Sequence, residues 1–121
     1  MQTIKIVTES STKWHIGTTV NNSFYNYTTG PILYMEADII SSVELHFLGK
    51  DYKTDGDKYC KLLSIEFNQL ILPEIFQLAT FHTDNPNYPT VEHCDYINMN
   101  GVWKLSIDKD TIKNILHGKV T

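Results

Sequence analysis

The chain has 121 residues, 41% apolar and 20% charged, with ten lysines, no arginine, two cysteines and a formal charge of −4. That size and balance suit a single domain over residues 1–121 with one core, and they exclude a long disordered segment and a disulfide-stapled miniprotein. An acidic chain without arginine lacks the side chain best suited to bidentate phosphate and guanine contacts, which argues against nucleic acid as a partner.

Met1 to Glu9 alternates polar and apolar residues, unlike the basic start and apolar run of a signal peptide, so a cytoplasmic protein is expected. No apolar run approaches the ~20 residues of a membrane-spanning helix, so no membrane partner is expected. Thr3 to Thr8, Lys13 to Val20 and Ile32 to Ala37 lean towards strand and are broken by Asn21-Asn22-Ser23 and Thr29-Gly30-Pro31. Their pairing is not readable. Phe24, Tyr25, Tyr27 and Tyr34 form an aromatic-rich set, and aromatic side chains are frequent at binding hot spots.

The middle of the chain predicts a hairpin. Val43 to Tyr52 and Lys58 to Phe67 flank Thr54-Asp55-Gly56, a loop with glycine where the left-handed conformation is needed. Pairing Lys53 with Asp57 sets Phe47 opposite Leu63, Leu45 opposite Ile65 and Val43 opposite Phe67, three apolar pairs on one face. The same register places His46 and Cys60 on the other face, four residues apart along it and too distant for a hydrogen bond. Asp51, Asp55, Gly56 and Asp57 invite comparison with a calcium loop. Lys53 at the third ligand position and Leu62 where a bidentate glutamate belongs break the match.

Pro73 to about Phe81 can form a short helix with proline in its first turn. Thr83 to Thr90 is a loop, rich in asparagine and proline. A second hairpin is predicted from Val91 to Met99 and Val102 to Ile107 around Asn100-Gly101, a pair suited to a type I′ turn. Its register sets Tyr96 opposite Leu105 and Cys94 opposite Ile107, with Trp103 on that side. His93 then faces Asp108 and Asp95 faces Ser106 on the other. Asp108 can cap a C-terminal helix from about Lys109 to His117, ended by Gly118.

These elements predict an α+β fold, mainly antiparallel sheet, with a C-terminal helix and a second short helix packed on one face. His93-Cys94 cannot act as a dyad, because consecutive strand residues point to opposite faces. His93, Asp95 and Asp108 form the one polar cluster that could hold a metal or ligand or serve acid/base chemistry, a set thin for zinc with a single histidine. His82 and Asp84 flank the loop without any register that brings them there.

No phosphate loop, ligand-spaced cysteine set or catalytic constellation is present, so no cofactor is expected, and binding is favoured over catalysis. The leading expectation is a small acidic binding protein that recognises and inhibits a protein partner, in the manner of toxin-immunity proteins or phage inhibitors. Tyr25, Tyr27, Asp51, Asp55 and Asp57 would contact that partner, such as a basic toxin or nuclease. The alternative is a metal- or ligand-binding domain, or enzyme, built on His93, Asp95 and Asp108. A third is an oligomeric structural subunit joined through strand edges.

Overall fold

A computed structural model describes residues 2–11, 14–28, 31–48, 58–71, 73–84, 87–92, 95–107 and 110. The strands are β1 (Gln2–Ser10), β2 (His15–Val20), β3 (Ser23–Thr28), β4 (Ile32–Ala37), β5 (Ser42–Leu48), β6 (Cys60–Phe67) and β7 (Leu70–Ile71). A 3₁₀ segment, Pro73–Leu78, leads into β8 (Ala79–Thr83), β9 (Val91–Glu92), β10 (Tyr96–Ile97) and β11 (Gly101–Ser106). They form two antiparallel sheets, one ordered β10-β6-β1-β4 with β7 also on β6, the other ordered β3-β2-β5-β11-β8-β9.

The two sheets share one core. Ile4, Ile6, Leu33, Met35, Leu62 and Ile65 from the first meet Ile16, Val43, Leu45, Phe47, Phe81, Trp103 and Leu105 from the second. Each strand contributes alternate residues, as the period-two pleat requires. Phe47 lies edge-on to Trp14, with ring centres 5.7 Å apart, and to Phe81 at 6.4 Å, a geometry aromatic rings favour over flush stacking.

The α+β expectation is therefore corrected to a β-sandwich. The helix expected from Pro73 is a 3₁₀ turn that buries Ile75 and gives way to β8. In β8 Ala79 and Phe81 point inward while Thr80 and His82 point outward, so period two prevails there. The helix expected over Lys109–His117 lies outside the described residues, apart from Asp110.

Both expected hairpins are also corrected: β5 and β6 belong to different sheets, and the run expected to pair with β11 is divided between β9, separated from β11 by β8, and β10 in the other sheet. β5 pairs with β2 and β11, whereas β6 pairs with β1, β7 and β10. Val43, Leu45 and Phe47 do face inward, but across the core from β6 and not beside it. A bulge near Ser64 then reverses the alternation of β6, so Leu62 is buried and Leu63 is exposed. Likewise β11 runs between β5 and β8, and Tyr96 of β10 pairs with Lys61 instead of Leu105.

Gly101 answers a close approach between strands. A Cβ there would come within 2.8 Å of Phe81 Cζ and of Thr83 Cα. The tight two-residue turns lie elsewhere, at Asn21-Asn22 between β2 and β3 and at Asn68-Gln69 between β6 and β7. All four residues have positive φ, as a type I′ turn demands. Asn21 also ties the turn to the chain entering β5. Its Nδ2 donates to the Ile39 carbonyl at 2.6 Å, and its Oδ1 accepts from the Ser41 and Ser42 backbone N–H groups at 2.8 and 3.2 Å.

Candidate ligand-binding face

The outward residues of the six-stranded sheet form two cross-strand rows. Register places Tyr27, Gly17, His46, Val102 and His82 side by side across β3, β2, β5, β11 and β8. The neighbouring row is Phe24, Thr19, Glu44, Lys104 and Thr80. Inward residues of the same strands, such as Thr18, Leu45, Trp103 and Phe81, are buried, so the pleat itself aims these two rows outward.

A β-bulge assembles the aromatic end. One step from Thr18 to Thr19 on β2 corresponds to two steps from Asn26 to Phe24 on β3, leaving Tyr25 as the extra residue. Phe24 and Tyr27 are thereby brought to one face, with ring centres 4.9 Å apart. Their exposures are 62% and 67%, leaving most of each ring open to a ligand. The Thr18 hydroxyl, buried under the bulge, donates to Asn26 Oδ1 at 2.6 Å and accepts from the Asn26 N–H at 3.2 Å. That clip holds the extra residue in place.

Beside the rings lies a cleft of about 210 Å³, lined by Gly17, Thr19, Phe24, Tyr27, His46 and Leu48. Gly17 makes its floor, for an added Cβ would stand 2.9 Å from Tyr27 Cε1. His46 forms the opposite wall, its Nε2 lying 3.2 Å from Glu44 Oε1. The other Glu44 oxygen sits 3.9 Å from Lys104 Nζ. Farther along, Thr80 Oγ1 and Thr90 Oγ1 lie 3.0 and 3.3 Å from the two ring nitrogens of His82. Aromatic faces at one end thus continue into a line of groups that can donate or accept hydrogen bonds.

Tyr27 of the expected contact set belongs to this cleft, whereas Tyr25 sits at the bulge and does not line it. The Tyr34 hydroxyl bonds the Glu36 carboxylate on β4, which raises the tyrosine's pKa, and nearby Tyr25 adds to the effect. Asp51, Asp55 and Asp57 lie outside the described residues, as do His93, Cys94 and Asp108. Asp95 is exposed, and its carbonyl accepts the Leu62 N–H at 2.7 Å. His46 and Cys60, expected on one face of one hairpin, are on different sheets. Cys60 is a buried thiol, its pKa pushed up by burial.

Sequence reasoning named Phe24 and His46 without joining them. Once Val43, Leu45 and Phe47 are read as inward, alternation alone puts Glu44, His46 and Leu48 outward together. The bulge that turns Phe24 towards Tyr27 leaves no such periodic trace.

No protein-family model and no curated protein sequence matches this chain. Two solved structures resemble it in fold. One is a selenomethionine form of the module vCBM60, described with a circular permutation linking two families of calcium-dependent carbohydrate-binding modules. It has a TM-score of 0.61 at 9% identity, over 88% of this chain and 91% of that one. The other is vCBM60 in complex with galactobiose, with a TM-score of 0.62 at 10% identity, over 86% and 97%.

Among the described residues no group of three histidine, cysteine, aspartate or glutamate side chains gathers to hold a metal ion. Glu44 already has the Lys104 ammonium beside it, so the described residues of the outer face do not fit calcium. The neighbours nonetheless correct the expectation of a toxin-immunity or phage-inhibitor protein with a basic protein partner: the solved structures that share this fold are of a carbohydrate-binding module.

Proposed function

We propose that this chain binds carbohydrate on the outer face of its six-stranded sheet. The observation that carries the reading is the exposed Phe24–Tyr27 pair beside the His46, Glu44 and Lys104 groups. A pyranose has C–H groups on its faces and hydroxyls around its rim, so it needs an apolar platform with adjacent donors and acceptors. Few other ligands ask for both within one sugar's width. The likeness in fold to vCBM60, one structure of which holds galactobiose, supports the same class of ligand.

The face does not perform a reaction in this reading. Phe24 and Tyr27 shield one sugar face from water, and Gly17 lets the Tyr27 ring lie against the sheet. His46 and Glu44 satisfy hydroxyls that would otherwise lose their water partners.

Calorimetric titration with neutral disaccharides, galactobiose first, tests the proposal. Binding is expected to persist in EDTA, because the Glu44 carboxylate is already paired with Lys104 and no group of three metal-ligating side chains gathers among the described residues. Tyr27→Ala should weaken it about tenfold, equivalent to ~1.4 kcal/mol. Unchanged affinity in that variant, or binding abolished by EDTA, would place the ligand elsewhere on the molecule.

A further inference from the structure

The geometry points to a ligand longer than one or two sugars: an internal run of a neutral, linear glycan laid across strands β3, β2, β5, β11 and β8. This inference rests on the carbohydrate reading above and deepens it.

Each outward row takes one residue from each strand, and the register shifts between the rows only at the β3 bulge that brings Phe24 beside Tyr27. Adjacent strands lie ~4.8 Å apart, so four spacings span roughly 19 Å from Tyr27 to His82. In an extended β-linked chain each pyranose advances by about one strand spacing, so such a chain can present about one sugar to each strand it crosses.

Chemistry along the rows matches that spacing. Tyr27 and Phe24 offer ring faces on β3, and His46 with Glu44 offers polar groups on β5. Lys104 follows on β11, and β8 supplies the linked hydroxyl and imidazole of Thr80 and His82. Thr90 extends the network beyond His82 at 3.3 Å. A hydroxyl–imidazole–hydroxyl chain can donate or accept, which suits a sugar hydroxyl presented either way.

Charge selects a neutral chain. Among the row residues, Glu44 is countered by Lys104 at 3.9 Å, and the protein as a whole carries −4. Neither the rows nor the surrounding field attracts a uronate or sulfate.

The test is titration of the intact chain with neutral galactan, xylan and glucan oligomers from dimer to hexamer, beside oligogalacturonate as the anionic counterpart. For the neutral sugar that binds best, affinity is expected to rise at least tenfold from dimer to about tetramer and then level, with oligogalacturonate weaker. His82→Ala should collapse that rise, and His82→Gln, which keeps hydrogen-bonding capacity, should restore part of it. Melting curves identify any variant that fails to fold. Equal affinity at every length would overturn the extended site while leaving carbohydrate binding standing, as would an unaltered length dependence in both folded His82 variants. Tighter binding of oligogalacturonate would overturn the neutral-ligand assignment. Absence of binding to every oligomer would overturn this inference together with the reading beneath it.

Discussion

The outer faces of the two sheets are built from the same alternation yet are organised differently. On the five-stranded sheet one row reads Tyr34, Lys5, Glu66 and Ile71, and the next Ile32, Val7 and Ser64. The charged Lys5 and Glu66 there separate the exposed Tyr34 from Ile71, and Tyr59 and Tyr96 stack on each other at 5.6 Å, with Lys61 over the Tyr59 ring. On the six-stranded sheet the open aromatics are adjacent and the hydrogen-bonding groups run on in line. The two faces differ less in which residues they expose than in how those residues are grouped, and grouping is what a ligand can read.

The largest effect is expected from removing the layer between the two faces. Trp103 is fully buried on β11, the strand between β5 and β8. Trp103→Ala should cost about 3–5 kcal/mol in denaturant unfolding, losing both faces in one transition. A small loss would mean that the sheets do not depend on one core.

Asn21→Ala should be next. It puts a less tolerant residue at positive φ and removes hydrogen bonds to Ile39, Ser41 and Ser42. The expected loss is about 1–3 kcal/mol, and Asn21→Gly should recover the conformational part alone.

Two surface changes sharpen the contrast. Gly17→Ala pushes against the Tyr27 ring and should weaken sugar binding several-fold. Ile71→Ser, at a site 63% exposed on the opposite face, should leave binding unchanged and stability within about 0.5 kcal/mol. Equal effects on binding would erase the distinction between the faces.

The smallest effect concerns Cys60, whose thiol pKa is raised by burial against the opposing hydrogen bonds of Ser10 and Thr8. As pH rises, the unfolded chain loses this proton before the folded one does. The contribution is therefore complete below the unfolded thiol's pKa and disappears as pH climbs towards the folded value. Stability measured against alkaline pH should fall less steeply in Cys60→Ala than in the parent.

Alternation made the inward residues Val43, Leu45 and Phe47 legible from sequence, and with them the outward position of His46. Partnership was not legible. A hairpin and a pair of strands facing each other across a core bury the same alternating residues, so apolar pairing at Phe47 and Leu63 could not distinguish them.

Turn chemistry misled in the same direction. Gly101 looked like the centre of a turn but serves strand contact, while the two-residue turns use asparagine and glutamine at Asn21-Asn22 and Asn68-Gln69. Asparagine tolerates the left-handed region well, so Asn-Asn carried a signal; Gln69 carried almost none. At the candidate site Tyr27 was singled out from composition, whereas its link to Phe24 depends on a bulge and its link to His46 on sheet order. Neither is a local property of the chain.

Strand order also sets how this molecule must fold. β1 lies between β4 and β6, with Ile6 placed between Leu33 and Ile65, so half of its pairing waits for a segment almost sixty residues downstream. The asparagine turns can close early, on the microsecond scale of isolated hairpins. The central strand of the five-stranded sheet cannot, because a long loop must be closed before its contacts repay the lost entropy. Folding is thus expected in milliseconds to seconds. During synthesis Ile4 and Ile6 remain unpaired on one side until Phe67 has followed them out.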